Sequence, residues 1–287
     1  MSGTDSFRQA VTLTEVDAAP ESRAFTAQPQ PVPWPKAYGG DLVAQSVSAA
    51  IRTVGDDRVV HSVHSTFLRG VDTAERVRYV VESIRDGRGF STRQVRGYQH
   101  AKLVFMATVS FHVPQEFPTH GPVMPAVPAP ELVPSSAEAL AGLTGTDVDY
   151  WSHGRSFDMR HVSGPVYATV DAHVPHQAVW VRAFDALDAD PVTHQLAIAY
   201  VCDYTILEPI LRVLGLSWRD EGLVTASLDH AMWFHAPARA DEWLLYAQDC
   251  AGISDGRGLG IGRFYTQDGR LVATVAQEGM IRPGQPA

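Results

Sequence analysis

The sequence predicts an α+β protein built twice over: two tandem units, each an antiparallel sheet wrapped round one helix, with the two sheets joined into one. Two observations carry this. The first is an internal repeat. HSTFLRG (residues 64–70) followed by DGRGFSTRQVRGYQHAKLVFMATVSF (86–111) returns as HAMWFHA (230–236) followed by DGRGLGIGRFYTQDGRLVATVAQEG (255–279). Two islands of likeness in one order imply duplication, and the period is far too long for a solenoid, so the repeated object is a small domain. The second is the pattern inside each copy, where one apolar helical stretch lies among several strand-like runs.

The elements follow in order. Residues 7–28 alternate enough (VTLTEV, SRAFTAQ) for two short strands leading into PQPVPWPKAYGG. After Gly39-Gly40, the residues Leu42, Val43, Val47, Ala50, Ile51 and Val54 form one stripe at the 3.6-residue period. Gly55 and the aspartates after it end that helix. Strand-like runs follow in VVHSVHSTFL, ERVRYVVESIRDG, STRQVRGYQ and KLVFMATVSFHV. Seven prolines across residues 114–134 exclude regular structure. A short helix (SSAEALAGL) comes next, then strands at MRHVSG and AVWVRAF. THQLAIAYVCDYTIL reads as a second helix, apolar on nearly all sides and so wrapped by protein. The runs VTASLDHAMWFH, EWLLYAQDCAG, GRGLGIGRFYTQ and LVATVAQEGMI complete the copy, with a hairpin turn at Gln267-Asp268-Gly269. One helix wrapped by about five antiparallel strands is the hotdog fold. Two copies make a double hotdog, and joining their sheets removes two exposed edges. The expected division is an N-terminal hotdog domain over residues 1–115, a proline-rich linker over 116–154, and a C-terminal hotdog domain over 155–287 carrying the catalytic residues.

Composition limits the partners. The chain has 287 residues, 45% hydrophobic and 19% charged, with a net charge of −9. That balance argues against nucleic acid and anionic membrane, which need a basic surface, but leaves room for a polyanionic small ligand held by a local Arg cluster. Cys202 and Cys250 are too few for a disulfide framework and read as free thiols. The first residues lack the charged and apolar segments of a signal peptide. No apolar run approaches the ~20 residues of a bilayer span, and GQPA is no peroxisomal address. A cytoplasmic location is expected.

YGGDLVAQS, VHSVHSTFLR, RDGRGFSTRQV, DHAMWFH, EWLLY and FYTQDGRLVATVAQEG resemble the acyl-CoA thioesterase II family, over both copies and most of the chain outside the linker. The resemblance implies a double hotdog that hydrolyses acyl-CoA to a free acid and coenzyme A, within fatty acid metabolism, without metal, cofactor or covalent intermediate. It also implies a catalytic set of an acid at the second central helix, a hydroxyl on the next strand and a glutamine on the last. These fall on Asp203 in YVCDYTIL, Ser227 in TASLDH and Gln277 in VAQEG. Asp41 departs from the pattern, because Gln is expected after the Gly-Gly pair, and this would retune the oxyanion end of the site. The expected partners are acyl-CoA and further copies of the chain, in a dimer or tetramer.

The chemistry of the residues stands beside the resemblance. Thioester hydrolysis needs a positioned water, a base for its proton, and donors for the oxyanion. A carboxylate in an apolar helix must find partners or shift its pKa, which makes Asp203 either a candidate base or an acid tied up by structural hydrogen bonds. Ser227 and Gln277, ordinary strand residues alone, could orient the water without competing for its proton. Aligned on His64 and His230, the first copy has His61 opposite Ser227 and the apolar run VFMATVSF opposite Gln277, so a single site per chain is expected. Gly40, at the start of the first helix, is a candidate backbone donor to the oxyanion, and His61 a candidate substrate contact. Arg88 and Arg257 serve their DGRG turns or grip coenzyme A phosphates. His230 and His235, five apart on one strand, face opposite sides and make no metal site. Two other functions remain open: a non-catalytic acyl-CoA binding protein, and an enoyl-CoA hydratase on the same fold, although the Asn-Pro and His of that enzyme do not follow GGD here.

Overall fold

Each alternating run folds as a strand, and all the strands join one sheet. The structure, a computed structural model, describes residues 4–170 and 173–284. Helix α1 (Asp5–Ala10), which the sequence pattern did not predict, precedes β1 (Thr14–Val16) and β2 (Ser22–Ala27). Then come α2 (Gly39–Ile51), β3 (Val59–Phe67), β4 (Val77–Asp86), β5 (Phe90–Gln99) and β6 (Lys102–His112). Residues 113–129, rich in proline, carry neither helix nor strand, but Pro130–Leu132, within the stretch expected to lack regular structure, form a 3-10 turn with Pro130 at its first position. Short helices α3 (Ser136–Ala139) and α4 (Thr146–Asp149) and a π-helical turn (Tyr150–Gly154) lead to the second run. It comprises β7 (Phe157–His161), β8 (His176–Ala183), α5 (Pro191–Val201), α6 (Glu208–Leu214), β9 (Val224–Phe234), β10 (Leu244–Ser254), β11 (Arg257–Thr266) and β12 (Leu271–Arg282).

The strand order is β1-β2-β4-β5-β6-β3-β9-β12-β11-β10-β8-β7, so the first six strands lie on one side and the second six on the other. The halves join through β3 and β9, antiparallel, with Val63 opposite Met232. This pairing covers the strand edge that each half would otherwise expose. Helix α2 is buried from Gly40 to Ala50, packed between the strands of its own half and α5. The amino end of α2 meets the carboxyl end of α5: a Cβ on Gly40 would collide with the Tyr200 carbonyl and the Tyr38 ring, so only glycine permits this approach.

Two sequence expectations are corrected. The second helix does not run through to Leu207. It ends at Val201, residues 202–207 form turns, and α6 starts at Glu208. Tertiary partners claim the carbonyls at this break, since the Tyr38 hydroxyl donates to Tyr200 O at 2.6 Å and the Tyr246 hydroxyl to Cys202 O at 2.9 Å. The repeat alignment also shifts by one residue. Leu68 and Arg69 donate to Val104 O just as His235 and Ala236 donate to Val272 O, so His64 corresponds to Ala231. His64 is exposed and His230 buried. Because side chains alternate along a strand, a one-residue slip puts the two histidines on opposite faces.

Asp41 lies in the first turn of α2 and is fully buried. Its Oδ2 accepts the Gln30 N–H at 2.8 Å, and its Oδ1 has no partner among the described residues. Burial pushes its pKa up to about 8, and the nearby charge of Asp203 adds to the rise. The folded state therefore holds a neutral acid where the unfolded chain ionises above about 4. The stability this residue contributes is present below that value and is lost as pH rises to about 8, by up to ~1.4 kcal/mol per pH unit. Asp41→Asn should flatten this part of the pH–stability curve and stabilise the protein most near pH 8. Urea unfolding from pH 4 to 9 checks it, and an unchanged slope in the variant removes Asp41 as its source.

Candidate active site

Three elements from the second half converge on the amino end of α2. The turn after α5 carries Asp203, β9 carries Ser227 and β12 carries Gln277. Gln277 Nε2 lies 2.6 Å from Asp203 Oδ1 and 2.9 Å from Ser227 Oγ, while Ser227 Oγ is 3.4 Å from the same carboxylate oxygen. The other carboxylate oxygen accepts the Gly40 N–H at 3.1 Å. Asp203 thus rests on a helix amino end, where backbone donors and the dipole favour negative charge. A Cβ on Gly39 would sit 2.6 Å from Asp203 Oδ2, so this glycine too is required by the contact.

His230 organises the same cluster. It is buried and stands opposite Gln277 in the β9–β12 register, with Nδ1 2.7 Å from Gln277 Oε1. A carboxylate only accepts, so the Gln277 nitrogen must face Asp203 and its oxygen must face His230. His230 then donates from Nδ1. Burial holds its pKa below the ordinary value, which keeps the ring neutral, and its Nε2 lies 3.6 Å from the Cys202 sulfur. The sequence reading weighed His230 only as a metal ligand. The signal it lacked is the strand register, which makes His230 the cross-strand neighbour of Gln277.

Asp203 and Ser227 open onto a cavity of about 650 Å³. Tyr38, Gly39, Leu42 and Phe67 of the first half and Leu207 and Trp218 of the second form much of its wall. Lys36 and Arg69, both exposed, also line it.

The other expected residues lie differently. The Gly40 N–H is engaged by Asp203 and is not left free to receive an oxyanion. His61 does not line this cavity. It is the bulged residue of β3, packed edge-on against Phe90 and His112. Leu228 is the matching bulge in β9, so Val60 and not His61 is the counterpart of Ser227. Val109, opposite Val63, is the counterpart of Gln277 opposite His230. The first half therefore has two valines where the second has a hydroxyl and an amide. Asp41 points inward to Gln30, away from the cavity wall. Arg257 pairs with Glu278 at 3.2 Å, and Arg88 stays exposed on its turn. His235 contacts Thr274, remote from the His230 network.

Comparison with known proteins matches two family models: Acyl-CoA thioesterase over residues 156–280, and Acyl-CoA thioesterase N-terminal domain over residues 30–112. The chain is 35% identical to human acyl-coenzyme A thioesterase 8 over 270 residues, covering 88% of this chain and 82% of the relative. It is 32% identical to acyl-CoA thioesterase 2 of Haemophilus influenzae, covering 90% and 92%. Among solved structures, the acyl-CoA thioesterase II of Mycobacterium marinum superposes with a TM-score of 0.78 at 35% identity, covering 98% and 100%.

The glycine pair provides a test. Alanine is the better helix former by about 1 kcal/mol, yet Gly40→Ala should lower the melting temperature, because the added methyl collides with the end of α5. Gly39→Ala should cost less stability and more turnover, because it displaces the Asp203 carboxylate. Thermal unfolding with thioester hydrolysis rates separates the two. A Gly40→Ala protein as stable as wild type would remove the packing constraint.

Proposed function

We propose that this chain, which belongs to the acyl-CoA thioesterase family, hydrolyses acyl-CoA to a free acid and coenzyme A by means of a water positioned by Asp203 and Ser227, which Gln277 holds in place. The observation that carries this reading is the meeting of those three polar groups beside the cavity, within hydrogen-bond reach of one another. The Asp203 carboxylate takes a proton from the water as its oxygen attacks the thioester carbonyl, and returns that proton to the departing thiolate. The Ser227 hydroxyl orients the water. Gln277 gives both N–H bonds to fixed oxygens, which holds the carboxylate and hydroxyl at a constant spacing. With Gly40 committed to Asp203, Gly39 is the remaining glycine of the first turn, and its N–H serves the oxyanion. Lys36 and Arg69 suit the phosphates of coenzyme A at the mouth, while the apolar wall takes the acyl chain. His230 acts through Gln277 by fixing its amide. Residence in the cytoplasm and assembly as a dimer or tetramer belong to the same proposal. No helix among the described residues is long and apolar enough to cross a membrane.

Asp203→Asn should fold normally and reduce turnover by about 10²- to 10⁴-fold on acyl-CoA esters from acetyl to palmitoyl. Retention of more than about a third of the wild-type rate would take the base role from Asp203. Ser227→Ala and Gln277→Ala should each lower kcat, less than additively with Asp203→Asn, because the three are joined in one hydrogen-bonded unit.

His230→Asn, which keeps a donor near the Nδ1 position, should retain far more activity than His230→Leu, with KM little changed in both. Equal kcat losses in the two variants would reduce His230 to a packing residue.

A further inference from the structure

We propose that Arg155 recognises a carboxylate at the far end of the acyl chain, so that ω-carboxyacyl-CoA esters are the preferred substrates of this cavity. The inference rests on the thioesterase reading above. Arg155 follows the π-helical turn, is 4% exposed, and lines the same cavity as Asp203 and Ser227. Its guanidinium is charged at every accessible pH, yet no carboxylate among the described residues lies within ion-pair distance of it. Nη1 donates to the Tyr167 hydroxyl and lies 3.5 Å from the Met159 sulfur, and the buried Nε has no partner among the described residues. The cation sits 4.6 Å from the Tyr204 ring centroid and 5.2 Å from that of Tyr167. The carboxylate whose field reaches it, Glu208, is committed elsewhere: to His161 at 3.0 Å, Gln177 at 2.9 Å and Trp218 at 3.2 Å.

The other buried arginines are satisfied. Arg93 pairs with Asp86 at 2.9 Å, and Arg212 bonds Gln177 and Gly164. Arg155 is therefore a buried cation at a cavity wall, with the charge of Glu208 nearby but no carboxylate of the described residues in ion-pair contact. A methyl-ended acyl chain would strip its remaining water and return nothing. A carboxylate in the cavity would supply a direct ion-pair partner and accept from the guanidinium edge that lines the wall. The phosphates of coenzyme A are a poor fit to so enclosed a group, and Lys36 and Arg69 meet them nearer the solvent.

The test compares kcat/KM for hexanoyl-CoA with adipoyl-CoA and octanoyl-CoA with suberoyl-CoA. Wild type should favour the ω-carboxy ester by about tenfold or more at one length at least, the worth of a charged hydrogen bond. Arg155→Met should lose about 10- to 100-fold on that ester and change the methyl-ended one by less than about threefold. Equal losses on both esters, or no wild-type preference at either length, overturn the proposal. Free suberate against free octanoate as inhibitors of the wild type needs no folded variant, and equal inhibition also overturns it. If no ester is hydrolysed, the thioesterase reading fails. Thermal stabilisation by suberate but not octanoate would then still support the Arg155 site, and its absence would overturn that site as well.

Discussion

The contact between Asp203 and the amino end of α2 is the constraint on which the site depends. A partly buried carboxylate from the second half reaches a backbone N–H of the first at 3.1 Å, and the chain allows this only because residues 39 and 40 lack side chains. Neither half can make the contact alone. The helix supplies backbone donors and a favourable dipole end. The turn after α5 supplies the acid, freed from the helix because tyrosine hydroxyls take the carbonyls beside it. Cavity, carboxylate and helix amino end are thereby brought together by packing that also holds the two halves.

Duplication explains why such a joint site exists, and divergence explains why the sheet carries one set of polar groups. The β3 and β9 strands keep the same bulge and the same relation to their neighbours. At matched places, however, Val60 and Val109 fill the first half while Ser227 and Gln277 occupy the second. An aliphatic pair needs no hydrogen-bond partner and packs readily under a helix, whereas a buried amide must be satisfied on every side. Gln277 meets that demand through His230, Asp203 and Ser227 at once. One half has become the wall and helix end of a site whose polar groups stand on the other.

Charge is distributed with the same logic. Burial, with the charge of Asp203 nearby, raises the Asp41 pKa to about 8 and so keeps Asp41 neutral at the helix end. Burial likewise keeps His230 neutral, which lets it donate to an amide without placing a positive charge beside Asp203. Arg155 stands outside this pattern as a buried cation with no carboxylate of the described residues in ion-pair contact.

Much of this was legible in the sequence. Strand alternation, the helical stripe after Gly39-Gly40 and the repeated DGRG turns fixed the architecture, because periodicity reports directly on which face is buried. The motifs around Asp203, Ser227 and Gln277 pointed to three residues far apart in the chain that the fold brings within hydrogen-bond reach. What the sequence could not decide was register and direction. A one-residue slip in the repeat made His61 look like the partner position of Ser227, and only strand pairing shows Val60 there. Helix propensity carried α5 past Asp203, because the tyrosines that end it come from distant strands and loops. The roles of Gly40, His230 and Arg155 depend on which atom faces which across a packed interface, and that is set by tertiary structure alone.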